Sequence, residues 1–216
     1  MKSATKYSKG FTLIELMVAL ALTSIIMAGI MAAYISQLKS HVTQQTIVEM
    51  QQNLRSAMQH MEKEIRMAGY DDPNKTSVAS ITTVLANTFE FTMDLNDDGD
   101  VSDPNETVLY TLAANTSGTQ CLMRNTGGGN QPIAENIEAL NFVYLDRFRV
   151  PTNVAIDVRS VQITIVAKSS RVNPVLFNRQ IDNQVYRNQQ GAIVLPAMND
   201  TFRRMAVMTD IKCRNL

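Results

Sequence analysis

Hydrophobic positions divide the chain into three regimes. Residues 11–35, FTLIELMVALALTSIIMAGIMAAYI, are apolar on every side of a helix, and the 20 residues 16–35 carry no charge. That is about the length a helix needs to cross ~30 Å of hydrocarbon. From residue 47 the apolar positions narrow to one stripe. Ile47, Met50, Leu54, Met58, Met61, Ile65 and Ala68 follow steps of three and four, while Glu49, Gln52, Gln59, Glu62, Lys63 and Arg66 lie off it. Such a stripe is one face of an amphipathic helix. It predicts that the helix runs to Met67 or Ala68, that Gly69 is its C-cap, and that Pro73 blocks continuation. One helix over residues 12–68 would be roughly 85 Å long. Its methionines read as adaptable core filler rather than ligands.

After Gly69 the period falls to two. Residues 88–93, 107–112, 120–123, 137–145, 158–168 and about 202–212 alternate apolar with polar and predict strands. The TGGGN run at 126–130 predicts a turn. Residues 169–196, rich in Asn, Gln and Arg, predict a long loop. The fold class is therefore α+β. A long N-terminal helix, half membrane-spanning and half amphipathic, packs on an antiparallel β-sheet. The expected organisation is a leader over 1–10, an apolar helix over 11–35, an amphipathic helix over 36–69 and a β-rich domain over 70–216.

Charge adds direction. Lys plus Arg and Asp plus Glu are both 20, so no global basic field points to nucleic acid. Arg203 and Arg204 are too small a basic cluster to change that. The first ten residues, MKSATKYSKG, hold Lys2, Lys6 and Lys9 and no acid; removing them leaves 17 basic against 20 acidic groups. Lysines before an apolar span fit a cytoplasmic start with the rest of the chain outside. A secretory signal peptide is the plainer reading, but the apolar stretch exceeds the usual ~7–15 residues. It also contains Glu15 near its start. An acid costs on the order of 2.5–3.5 kcal/mol at a spanning helix's centre, and less near its edge, so such a residue usually has a partner. A simple signal anchor with Glu15 among the headgroups is the other plain reading.

Gly10-Phe11-Thr12-Leu13-Ile14-Glu15, following a short Lys-containing leader, resembles the class III signal of type IV prepilins and type II secretion pseudopilins. The resemblance implies cleavage by a prepilin peptidase between Gly10 and Phe11, N-methylation of Phe11, and pairing of Glu15 with the Phe11 amine of a neighbouring subunit in a filament. Gly10 suits cleavage because it lacks a Cβ and lets the backbone lie close to an enzyme. Major pilins usually carry a proline in the stretch corresponding to residues 28–33; AGIMAA has none, which favours a minor subunit. ENIEALNFVYLD, RSVQITIVAKS and FRRMAVMTDIKCRNL are similar to PilW-type minor pilins and, less closely, to the J-type minor pseudopilin. The implied function is a minor pilin that helps initiate assembly and sits at or near the filament tip. The alternatives are a minor pseudopilin of a type II secretion system and a membrane-anchored extracytoplasmic calcium-binding module. The implied partners are other major and minor pilins through the N-terminal helix, the peptidase, and an inner-membrane assembly platform. The implied location is the inner membrane with the domain periplasmic, then the pilus.

Residues 94–106 form an acidic loop, DLNDDGDVSDPNE. It begins D-x-N-x-D-G, with oxygens at alternate positions and glycine at the turn, as a calcium loop does. Asp94, Asn96 and Asp98 offer side chains, Asp100 a backbone carbonyl, and Glu106 a carboxylate one residue later than an EF-hand would place it. A solvated turn is the alternative reading, because Asp, Asn and Gly are also turn formers. Cys121 and Cys213 have no metal-ligand spacing; in an oxidising compartment they can pair, or they are two buried thiols. The chain has no GxSxG, P-loop or HExxH, and His41 and His60 fall on the predicted helix. An enzyme is not expected.

Overall fold

The computed structural model describes residues 10–71, 79–170 and 181–216. Leader residues 1–9, Pro73, and residues 171–180 of the predicted loop lie outside them. The chain forms two compact units, one up to Gln45 and one from Thr46 to Leu216.

In the first unit, helix α1 (Leu13–Ile65) begins. Residues 10–34 are all solvent-exposed, including Leu13, Ile14, Leu20, Ile25 and Ile30. The hydroxyls in this stretch are turned onto the helix itself. Thr23 Oγ1 donates to the Ala19 carbonyl at 2.7 Å and Ser24 Oγ to the Ala21 carbonyl at 2.8 Å. Between Leu16 and Ala33 the helix surface is therefore apolar, as a hydrocarbon solvent requires, and Glu15 is the charge that precedes it. This part of α1 is long and apolar enough to cross a membrane.

In the second unit, the remainder of α1 buries Met50, Leu54, Ala57, Met58, Met61 and Ile65. Burying side chains such as Leu54 and Ile65 is worth about 1.5–3 kcal/mol each. The α-helix stops at Ile65, two to three residues before the predicted end. Its last turns tighten: Met67 N–H bonds to Glu64 O at 2.9 Å and Ala68 N–H to Ile65 O at 3.2 Å. This i→i+3 tightening is a common way for a helix end to satisfy its carbonyls. Gly69 sits at φ +75 and sends its N–H to Thr92 O. A Cβ there would lie 2.2 Å from Leu216 Cδ2, so glycine is demanded both by the turn and by the C-terminus packed on it.

Among the described residues the strands form three sheets rather than the one expected. Strands β1 (Ile81–Leu85), β2 (Thr88–Thr92), β3 (Thr107–Ala114), β4 (Gln120–Asn125) and β5 (Asn130–Glu135) make a five-stranded antiparallel meander in that order. The second sheet comprises β6 (Ile137–Leu145), β7 (Ser160–Lys168) and, after the two-residue β8 (Tyr186–Arg187) and β9 (Ile193–Leu195), β10 (Arg204–Lys212). Its order is β10-β7-β6. The β8–β9 hairpin is the third sheet and falls in the segment predicted as loop. Phe89 of β2 meets Phe142 and Tyr144 of β6 and its neighbour Phe91, with ring centroids 5.2–5.5 Å apart. Tyr144 also donates to the Leu85 and Thr88 carbonyls at 2.9 and 3.0 Å, pinning the β1–β2 turn to the second sheet.

Strand β7 is buried along nearly its whole length. Val161, Ile163, Ile165 and Ala167 face the main core. Its other face is covered by the β8–β9 segment: Val166 packs with Tyr186 and Leu195, and Gln162 accepts from Gln190 at 2.9 Å.

Two polar clusters hold these layers together. Glu64 on α1 accepts from Arg124 Nε on β4 at 3.0 Å and from the Tyr110 hydroxyl on β3. Burial and the Glu64 carboxylate push the Tyr110 hydroxyl far above its usual pKa, so it remains a donor. Arg204 on β10, only 1% exposed in its side chain, bonds Glu138 of β6 at 2.5 Å and Asp200 at 2.7 Å, and lies 3.4 Å from Asp182. One buried guanidinium thus joins β10, β6 and the segment carrying β8 and β9.

Glu64→Ala strands Arg124 and Tyr110 in a mostly buried site. It should destabilise the domain by about 2–4 kcal/mol, and adding Arg124→Met should restore part of the loss. Thermal denaturation of the two variants checks this. The Arg204 hydrogen bonds hold the Asp200 carboxyl below its usual pKa against the opposing effect of burial. Folded chains therefore bind fewer protons there than unfolded ones. The Asp200 contribution is fully present above about pH 4 and is lost as pH falls through the lower folded value. The stability gap between the parent chain and Asp200→Asn should accordingly shrink between pH 6 and pH 3.

Candidate functional site

Three sets of residues carry chemical signals in the sequence: the start of α1, the acidic loop and the cysteines. At the start of α1, Thr12 and Glu15 cap one another. Glu15 Oε2 accepts the Thr12 backbone N–H at 2.8 Å and its hydroxyl at 2.9 Å, and Thr12 Oγ1 accepts the Glu15 N–H at 3.3 Å. This reciprocal pair is a capping box, with Thr12 at the N-cap and Glu15 three residues in. It satisfies two backbone donors that a helix start otherwise leaves open. The Thr-x-x-Glu spacing carries that signal in the sequence. Phe11 is 91% exposed and Gly10 has open space around its Cα. Among the described residues, no Lys, Arg or His forms an ion pair with Glu15. The carboxylate is hydrogen-bonded but not neutralised within the described chain.

The acidic loop joins β2 to β3. Asp94 and Glu106 are fully buried at its two ends. Glu106 closes the loop by accepting Leu95 N–H at 3.0 Å and Asp103 N–H at 3.1 Å. Asp94 Oδ2 accepts Gly99 N–H at 2.8 Å across the loop. Asn96 Oδ1 accepts Asp98 N–H, Asp98 Oδ1 accepts Asp100 N–H, and Asp100 Oδ1 accepts Ser102 N–H, all at 2.8–3.1 Å. Carboxylate oxygens of Asp98, Asp100 and Asp103 come within 4.8 Å of one another. Asp103 is thus brought into the group of candidate ligands, whereas both Glu106 oxygens serve as backbone clasps.

Cys121 and Cys213 are not brought together. Both are buried free thiols. Cys121 on β4 pairs with Glu135, next to the start of β6. Cys213 follows β10 and donates its N–H to Arg159, which itself bonds Leu145 at the far end of β6. A strand of nine residues separates the two positions, and at ~3.3 Å per residue that is far beyond bridging distance. Burial pushes the Cys213 thiol up to about 12 and raises Cys121 as well, so neither is primed as a thiolate.

A long helix with an exposed, capped and acid-bearing apolar start, followed by a helix-packed antiparallel β domain, defines a type IV pilin-like protein. The sequence profile of the prokaryotic N-terminal methylation motif matches residues 5–31, and that of prepilin peptidase-dependent protein B matches residues 43–187. The chain belongs to the prepilin peptidase-dependent protein B family. Its fold is similar to that of a type IV-like pilin from Thermus thermophilus, with a TM-score of 0.50 and 14% identity, over 77% of this chain and 98% of that one. No curated protein gives a significant match to the sequence.

Replacing Thr12 by Ala removes the hydroxyl half of the capping box. A cap loss of ~1 kcal/mol should speed amide exchange in the first turn of α1 about fivefold, with no change in the second unit. Hydrogen exchange on the full chain in detergent measures both regions at once.

Proposed function

We propose that this chain is a minor pilin, cut between Gly10 and Phe11, methylated on the Phe11 amine, and assembled through α1 into an envelope filament whose start it helps to form. The observation that carries this reading is Glu15. It is a carboxylate on an exposed apolar helix, and no cation pairs with it among the described residues. Cleavage after Gly10 would create a cationic amine four residues before it. In a bundle of such helices, an unpaired charge would be costly and an amine from a neighbouring subunit would offset it. That pairing would set the axial register of the subunit. The membership of a prepilin peptidase-dependent family supports the processing step. The start of α1, apolar over residues 16–35 and free of proline, supports a minor rather than a major subunit.

On this reading the domain is periplasmic before assembly and at or near the filament tip afterwards. Its partners are other pilins, the peptidase and the assembly platform. The glycine at position 10 gives the peptidase an unobstructed backbone, and the exposed Phe11 is accessible to a methyl donor's enzyme.

Mass spectrometry of the protein extracted from membranes should find a terminal peptide that starts at Phe11 and is heavier by one methyl group. Glu15→Ala should be processed normally but recovered in sheared filaments at less than a tenth of the parent level. Normal recovery of that variant would remove the role assigned to Glu15, and an uncut Met1 would remove the filament reading altogether.

A further inference from the structure

The β2–β3 connection holds six acids within residues 94–106: Asp94, Asp97, Asp98, Asp100, Asp103 and Glu106. Crowded acids alone are no site, because exposed carboxylates repel weakly in water. One oxygen here is different. Asp94 has no exposed surface, and its Oδ2 is turned into the loop, where it accepts Gly99 N–H at 2.8 Å. Its second oxygen, Oδ1, is equally buried and has no hydrogen-bond partner. A buried carboxylate oxygen without a donor is expensive, and native structures supply one or place a cation there.

The rest of the loop is shaped for the second solution. Oxygens of Asp98, Asp100 and Asp103 converge within 4.8 Å. The Asn96 amide nitrogen bridges two of these carboxylates, at 3.0 Å from Asp98 Oδ2 and 2.7 Å from Asp103 Oδ2. A donor held between two carboxylates occupies ground that a cation would share.

We infer that this loop binds one divalent cation, and that the ion is calcium. The donors are the carboxylates of Asp94, Asp98, Asp100 and Asp103 with the Asn96 amide oxygen. The set is all oxygen, which suits a hard cation; the histidines lie on α1 and the cysteines on or beyond other strands. Calcium rather than magnesium fits an irregular loop. Asp97, Gly99 and Asn105 all adopt positive φ, and calcium accepts uneven coordination where magnesium demands a near-ideal octahedron. Ligand spacing supports the choice, since D-x-N-x-D-G places oxygens at alternate positions about a glycine turn.

The ion would also act on the fold beyond its loop. Asp94 donates its own N–H to the Tyr70 carbonyl at 2.9 Å, one residue from the Gly69 bond to Thr92. Fixing the Asp94 carboxylate therefore stiffens the place where the chain leaving α1 meets β2. This inference is independent of the filament reading.

The test uses the full chain in detergent, stripped with EDTA and titrated with calcium chloride by calorimetry, with a melting curve at each end point. The expected result is one ion per chain with a Kd of about 10⁻⁴–10⁻³ M. The melting temperature should rise by several degrees at ~10 mM calcium and return on chelation, with a much smaller rise in magnesium. Asp98 and Asp103 are exposed, so D98N combined with D103N keeps the fold by circular dichroism and should weaken binding at least tenfold. No heat and no melting shift at ~10 mM calcium would overturn the site. Undiminished binding by the double variant would overturn the ligand assignment, and an equal response to magnesium would overturn the choice of ion.

Discussion

A single helix is asked to satisfy two solvents, and the rest of the structure follows from that demand. After Glu15 the first part of α1 is apolar on every side, and all of residues 10–34 are exposed, while the part after Thr46 is apolar only on the stripe that the sheets cover. In water the first part would pay for every exposed Leu and Ile, and in hydrocarbon the second would strand Glu49, Glu62 and Arg66. The change of pattern along one unbroken helix therefore fixes where each environment must begin. The β domain exists in the first place to cover the stripe, and its sheets are tied to α1 and to each other by charge as well as by packing. Glu64, Arg124 and Tyr110 allow only one rotation of the helix against β3 and β4, which an apolar stripe of methionines would leave loosely specified.

The same logic separates what was legible from what was not. Strands with clean alternation read well: β6 occupies Ile137–Leu145 as predicted, and β2, β3, β7 and β10 lie within two residues of their predicted limits. The helix stripe read well because Met50, Leu54, Met58, Met61 and Ile65 are indeed its buried positions. Strand β1 was missed because its register slips between Ile81 and Thr83, so its side chains do not alternate. Strand β5 was missed because it contains Pro132 and its polar and apolar residues do not alternate, both of which an edge strand tolerates. The β8–β9 hairpin is too short to show a period. The division into separate sheets is a tertiary fact that alternation within a strand does not encode.

Chemistry was legible where it is local and illegible where it is not. The GFTLIE signal lies within six residues, and its Thr12–Glu15 capping bond closes over three. The acidic loop announced its glycine turn and the residues that start it, but the neighbourhood of Asp103 depends on how residues 101–105 fold back. The cysteines needed the register of β6 to be placed, because Cys121 and Cys213 are 92 residues apart in sequence and meet opposite ends of that strand. Likewise the triple use of Arg204 joins residues 138, 182 and 200, which no pattern along the chain would bring together.

Glu15 can be judged by what its capping role leaves undone. A capping box answers the hydrogen-bonding need of the helix start, yet a Gln at the same position would answer it as well, because the amide oxygen is also an acceptor. What a carboxylate adds is a full charge. At the positive end of the helix that charge is favoured by about 0.3–1 kcal/mol. Against that stands the cost of inserting an acid into a membrane, ~2.5–3.5 kcal/mol at the centre and less near the edge. At the centre the dipole alone would not offset that cost, and among the described residues no cation pairs with Glu15. On the proposed reading, an amine freed by cleavage four residues upstream would supply that positive charge, and its copies on neighbouring helices would offer the same pairing between subunits. A carboxylate at position 15, where Gln would cap equally well, is what that reading requires.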